Sequence, residues 1–307
     1  MSKEDIFVDK KNNDIFSKYK NIKIKKMYLI ITVLLFTSNI YAQSPSQLVR
    51  VLKETNVAKL QAEANIYRQQ AEEQKAKAVQ AALQNGWPIT IETDSSFAEL
   101  QHLNEFGKPM YYITNNVDAA ESTSTDKLYS GGGLGLSLSG SGMLVGEWDG
   151  GGVQKEHIEF NNTGSSRVTQ KDSPSSYHYH ATHVAGTLVG AGYYTSPQGE
   201  NSQGMAYSAS VYAYDWNSDN AEMATEAAGG LLLSNHSYGS IAGWYWNGSS
   251  WEWAGDDVED NNFGYYSYWA SLWDQIAVDA PSYLIVKSAG NDRGDGPTNG
   301  AHPQDGP

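Results

Sequence analysis

Three of the chain's seven histidines, His178, His180 and His183, fall within six residues in "SYHYHATHVAG" (Ser176 to Gly186). Imidazoles so placed could hold a metal ion, or one of them could carry a proton. The metal arrangement fits poorly. A zinc-hydrolase helix sets two histidines four apart with a glutamate beside the first, whereas His180 and His183 are three apart and Ala181 follows the first. His178 and His180 are two apart and point the same way only on a strand. A single general base fits better, because a neutral imidazole takes a proton near neutral pH when a carboxylate fixes its tautomer. Asp149 is a natural partner: it follows the apolar run "MLVGEW", and Gly150, Gly151 and Gly152 allow a tight exit behind it. By itself Asp149 also reads as a turn aspartate. The chain has no cysteine, which removes thiolate ligands, cysteine nucleophiles and disulfides together.

The scaffold for these side chains can be read from hydrophobic patterning. After the glycine-rich "SGGGLGLSLSGSG", which lacks the lysine and spacing of a phosphate loop, short apolar runs alternate with helical stretches. "MLVGEW", "SVYAYDW", "LLLSNHS" and "YLIVKSAG" read as strands; "ATHVAGTLVGA", "NAEMATEAAGG" and "GYYSYWASLWDQIAVDA" read as helices. Such alternation predicts an α/β fold, a parallel sheet with helices on both faces. Ligands of such sheets bind beyond the carboxyl ends of the strands, which points to Asp149, Asp215, Ser237 and Asn291. "ATHVAGTLVGA" is built of small residues and must pack closely against its neighbours.

Upstream, residues 46–84 carry a helical pattern, one helix or two, stopped by "QNGWP". An extended "ITIE" and a hairpin of "FAELQHL" and "PMYYITN" follow, then a polar linker, Asp118 to Lys127. The first 42 residues read as a secretory signal: lysines up to Lys26, the ten-residue apolar run Met27 to Phe36, and Ala42 as the small residue at the cut, with Met27 a possible true start. The expected division is 1–42 signal region, 43–127 helical and α+β pro-segment with linker, and 128–307 main domain. Net charge is −14; residues 1–42 hold eight lysines against four acids, so the remainder has 13 basic and 31 acidic side chains. A body of that sign repels nucleic acid and anionic membrane, and neither is an expected partner.

"MLVGEWDGGG", "HATHVAGTLVGAG", "GMAYSASVYAYD", "LLLSNHSYG" and "LIVKSAGND" occur in that order, and together they resemble the subtilisin-like serine peptidases, in particular a secreted branch from Bacteroidetes-type bacteria. The resemblance implies a monomeric, secreted serine endopeptidase of subtilisin-like fold that uses no cofactor for catalysis. It implies that Asp149 orients the imidazole, that His180 is the general base, that His183 is a buried structural histidine, and that Asn291 donates to the oxyanion. Ser237, Tyr238 and Gly239 match the strand whose backbone pairs with an extended protein or peptide substrate. His178 has no counterpart and is expected in an exposed loop. The chain departs from the family at Ala181 and Gly150, where Gly and Thr are usual.

The resemblance also implies a nucleophilic serine well downstream of Asn291, in a "GTSMAxP" turn. The sixteen residues after Asn291 hold no serine, and Thr298 lacks the motif. The chain is therefore expected to be the N-terminal part of a longer product and inactive alone. An inactive binding or adhesion protein on the same fold is the alternative. A third reading, glycan binding, rests on Gly243 to Tyr266, where tryptophans and tyrosines accompany Asp256, Asp257, Glu259 and Asp260; the simpler expectation is an insertion packed on its own aromatics beside the cleft. No metal site is expected; a structural calcium stays open, although the acids match no EF-hand spacing. The mature N-terminus is expected between Asp126 and Gly140 if the pro-segment is removed.

Overall fold

In the computed structural model the described residues are 45–92, 97–114, 125–161, 163–195, 201–256, 260–291 and 296–297; the signal region, most of the linker and the residues from 298 onward lie outside them. The helical stretch forms two helices, α1 (Pro45–Glu54) and α2 (Val57–Asn85). Asn56 makes the break. Its side chain caps α2 by accepting from the Lys59 amide at 3.4 Å, and its own amide donates to the Asp279 carbonyl at 2.7 Å. Gly86 ends α2 in the left-handed region, φ 74°, and donates back to Ala82. Three antiparallel strands follow, β1 (Thr90–Glu92), β2 (Phe97–Leu103) and β3 (Pro109–Thr114). The Asn104 side chain closes the β2–β3 turn by accepting from the Phe106 and Lys108 amides at 3.0 and 2.9 Å.

The main body runs β4 (Leu144–Asp149), α3 (Ile158–Asn161), β5 (Val168–Gln170), α4 (Tyr179–Val189), β6 (Ala191–Thr195), β7 (Asn201–Gln203), β8 (Ser210–Asp215), α5 (Asp219–Ala228), β9 (Leu233–His236), β10 (Tyr238–Ser240), β11 (Trp244–Trp246), β12 (Trp251–Trp253), α6 (Tyr268–Asp279) and β13 (Leu284–Lys287). Five strands form one parallel sheet in the order β13-β9-β4-β8-β5. Alternation along the strands supplies two apolar faces. On one, Val168, Val211 and Ala213 pack with Ala181, Ala185 and Val189 of α4. On the other, Trp148 and Tyr214, stacked at 4.8 Å, pack with α5 and α6, and Leu60, Ala64 and Tyr67 of α2 join the same core. Gly146 makes room for this layer, since a Cβ there would stand 2.6 Å from the Trp148 ring. The fold is thus α/β, with a parallel sheet covered on both faces.

A second sheet joins the N-terminal segment to the body. Its order is β1-β2-β3-β10, and β10 runs antiparallel to β3 with Tyr238 opposite Thr114, Gly239 opposite Ile113 and Ser240 opposite Tyr112. Patterning within either stretch could not reveal this pairing, because it links residues over a hundred positions apart.

Candidate active site

The parallel strands bring their carboxyl ends to one edge of the sheet, and Asp149 closes β4 there. It is fully buried, and its Oδ1 accepts from the Gly150 amide at 2.6 Å. Gly151 turns the chain away at φ 102°, and a Cβ there would lie 2.9 Å from that of His178. His180 sits in the first turn of α4, 5 % exposed, with Nδ1 2.7 Å from Asp149 Oδ1. A carboxylate on Nδ1 fixes the tautomer that leaves Nε2 as the basic nitrogen, and Nε2 has no hydrogen-bond partner among the described residues. A side chain mounted on a small-residue helix packed against the sheet is held rigidly. Glu147, two residues earlier on the same face of β4, is also buried; burial and the Asp149 charge push its carboxyl well above the usual range, so it stays neutral beneath the pair.

Two histidines lie elsewhere than the sequence led one to expect. His178 is not an exposed loop residue. It caps α4, its Nδ1 accepting from the His180 amide at 3.2 Å, and its half-buried ring lies 4.7 Å from Phe97. The first amides of a helix need an acceptor, and this imidazole supplies one. Burial holds its pKa below the usual value against the opposing pull of Asp149, which keeps it a neutral acceptor. His183 is exposed rather than buried. The buried stripe of α4 runs through His180, Ala181, Val184, Ala185 and Val189, and at about 100° per residue His183 falls on the other side of the helix.

Ser237 follows β9, half-buried, with Oγ accepting from Asn235 Nδ2 at 2.8 Å. Tyr238 and Gly239 lie in β10, whose pairing edge is taken by β3. Asn291 is exposed, four residues beyond β13. It lies on the same edge of the sheet as Asp149, but β13 is two strands from β4, about 10 Å at the usual spacing. Asp215 serves a turn: Oδ1 accepts from the Asn217 amide at 2.7 Å, and burial pushes its carboxyl up to about 6. Phe97, which covers His178 and stacks on Trp216 at 5.6 Å, carried no sequence signal beyond its place in a hairpin.

Residues 115–305 match the subtilase family. The chain belongs to it. No curated protein and no solved structure matches the chain. Within this subtilase the aromatic insertion is a hairpin, β11 paired with β12, in which Trp244 faces Trp253 and Trp246 faces Trp251. Their rings meet at 59° and 66°, and Tyr245 packs on a core shared with Tyr111 and Ile241. Asp260 anchors the loop by accepting from the Gly243 amide at 2.6 Å, and Asp256 pairs with Lys108 at 3.2 Å; Asp257 and Glu259 lie outside the described residues. Among the described residues no three His, Asp or Glu side chains are placed to hold a metal ion, and no helix is long and apolar enough to cross a membrane.

Proposed function

We propose that this subtilase is the acid–base half of a secreted serine endopeptidase, with Asp149 orienting His180, His180 as general base and then acid, and Asn291 donating to the oxyanion. The reading is carried by the buried 2.7 Å contact between Asp149 and His180 Nδ1, at the edge where β4 ends. In a peptidase, His180 Nε2 takes the proton of a serine hydroxyl as it attacks the peptide carbonyl, then returns it to the leaving amine. Asp149 stabilises the imidazolium formed in between. The serine is proposed to come from a segment outside these 307 residues, so that this chain alone hydrolyses nothing. Ser237 to Gly239 would bind an extended peptide by strand addition, and the β3–β10 pairing supports this, since it places an extended segment on that edge. By the same token residues 43–127 are proposed to be a pro-segment that covers the cleft until it is cut between Asp126 and Gly140.

The complete gene product should hydrolyse casein and react with a fluorophosphonate. Asp149→Asn should lower kcat by roughly 10⁴ and His180→Ala by roughly 10⁶. Undiminished hydrolysis by His180→Ala would refute the assignment, and hydrolysis by residues 43–307 alone would refute the external serine.

A further inference from the structure

We infer that Tyr238 is a positioning residue for the peptide-binding strand: a buried relay through its hydroxyl ties β10 to Asp219 of α5 and so fixes where the strand presents its backbone. The inference rests on the reading of β10 as the substrate strand.

The relay joins β9, β10, α5 and the turn before β13. Tyr238 donates to Asp219 Oδ2 at 2.8 Å, and His236 Nδ1 lies 3.1 Å from the Tyr238 hydroxyl. His236 Nε2 lies 2.9 Å from Ser234 Oγ, which accepts from the Tyr283 hydroxyl at 2.6 Å. An ionised carboxylate can only accept, so Asp219 sets the direction of every proton. Tyr238 gives its proton to Asp219, His236 gives its Nδ1 proton to Tyr238, Ser234 gives its proton to His236 Nε2, and Tyr283 gives its proton to Ser234. This order requires a neutral His236 with its proton on Nδ1. Burial favours that form by driving the imidazole pKa well below its usual value.

All five side chains are 5 % exposed or less. Trp148, stacked at 5.1 Å, and Trp273, at 4.7 Å, clamp the His236 ring. Asp219 Oδ1 is already filled by the Asn220 amide and side chain at 2.7 and 2.9 Å, so Oδ2 is the oxygen left for Tyr238. The Ile241 amide donates to the Tyr111 carbonyl at 3.0 Å. Because bonded pairs recur every second residue, Gly239 opposite Ile113 is also a bonded pair. Gly239 directly follows Tyr238, so the position of its amide depends on the relay.

Amide hydrogen exchange on the full chain tests this. Gly239 should be protected in the wild type. Tyr238→Phe should speed its exchange at least tenfold while the amides of β4 and β8 keep their rates. Asp219→Ala, which removes the acceptor of the Tyr238 hydroxyl, should speed Gly239 exchange likewise. An unchanged Gly239 rate, or acceleration shared equally with β4, overturns the inference. Should Tyr238→Phe not fold, nitrogen-15 shifts of His236 in the wild type decide: burial pushes the Asp219 carboxyl up to about 6, so the Nδ1–H form is expected at pH 7 to 8, where Asp219 is ionised, and the Nε2–H form or a charged ring there overturns the inference. Protection lacking at Gly239 in the wild type would defeat the reading of β10 itself, and the inference with it.

Discussion

His102 makes the docking of the N-terminal segment sensitive to acid. It lies in β2, 6 % exposed, with its ring 4.5 Å from Trp269 of α6 and 6.4 Å from Tyr112 of β3. Burial, reinforced by the Lys75 charge, lowers its pKa to about 4. The charged groups lining the small cavity beside it are Glu72 and Lys75 of α2 and Asp219 of α5, and Lys75 is itself held by Glu99 at 3.0 Å. In the unfolded chain the same histidine titrates near 6.5. As pH falls through 6.5 the unfolded state therefore gains a proton that the folded state refuses, and stability drops until pH reaches about 4, where both are protonated. At 1.36 kcal/mol per pH unit the loss is about 2 kcal/mol by pH 5 and about 3 kcal/mol in full. The measurement is urea unfolding of the full chain and of His102→Phe, which keeps a ring against Trp269, at pH 7 and pH 5. Every other titratable group is common to both proteins, so the difference between the two losses isolates His102. The wild type should lose about 2 kcal/mol more than the variant, and losses equal within about 0.5 kcal/mol would refute the reasoning.

Other substitutions probe the joints around the site. Leu60→Ala opens a cavity where α2 meets α5 and should destabilise the chain by about 2–5 kcal/mol in the same unfolding assay. Asn56→Ala removes the α2 cap and a partner of Asp279, for a loss of about 1 kcal/mol by thermal unfolding. Gly151→Ala forces a Cβ into the left-handed region and onto His178. A loss of about 1–3 kcal/mol is expected, with a shift of the His180 imidazole resonances that a distant substitution of equal cost would not produce. If the proposed secretion holds, the first residue of the mature protein should lie between Asp126 and Gly140 if residues 43–127 are a removable pro-segment, and near Gln43 if they are a permanent appendage.

Much of the peptidase core was legible because its signals are local. Apolar runs alternating with helical stretches give a parallel sheet, since both periods come from backbone geometry alone. "HATHVAGTLVGAG" pointed to a helix start and to a histidine in need of a carboxylate partner, and Asp149 stood out because an acid directly after an apolar strand lies where such sheets bind ligands. Asn56 and Gly86 punctuate the long helical stretch through the ordinary chemistry of caps. What the sequence by itself determined was therefore the elements, their order, and the residue types gathered at one edge.

Only the tertiary structure decided what those residues meet. Which face of α4 is buried put His180 inside and His183 outside, although they are only three residues apart. His178 became a cap because a helix start needs an acceptor, and Phe97 arrived beside it from another part of the chain. Ser234, His236 and Tyr238 recur with the period of any strand; their relay exists only because Asp219 and Tyr283 approach from α5 and from the turn before β13. The pairing of β3 with β10 has the same origin. Edge amides and carbonyls pair with whatever extended backbone is brought alongside, and which backbone that is depends on the packing of α2 against α5, to which distant parts of the chain contribute jointly.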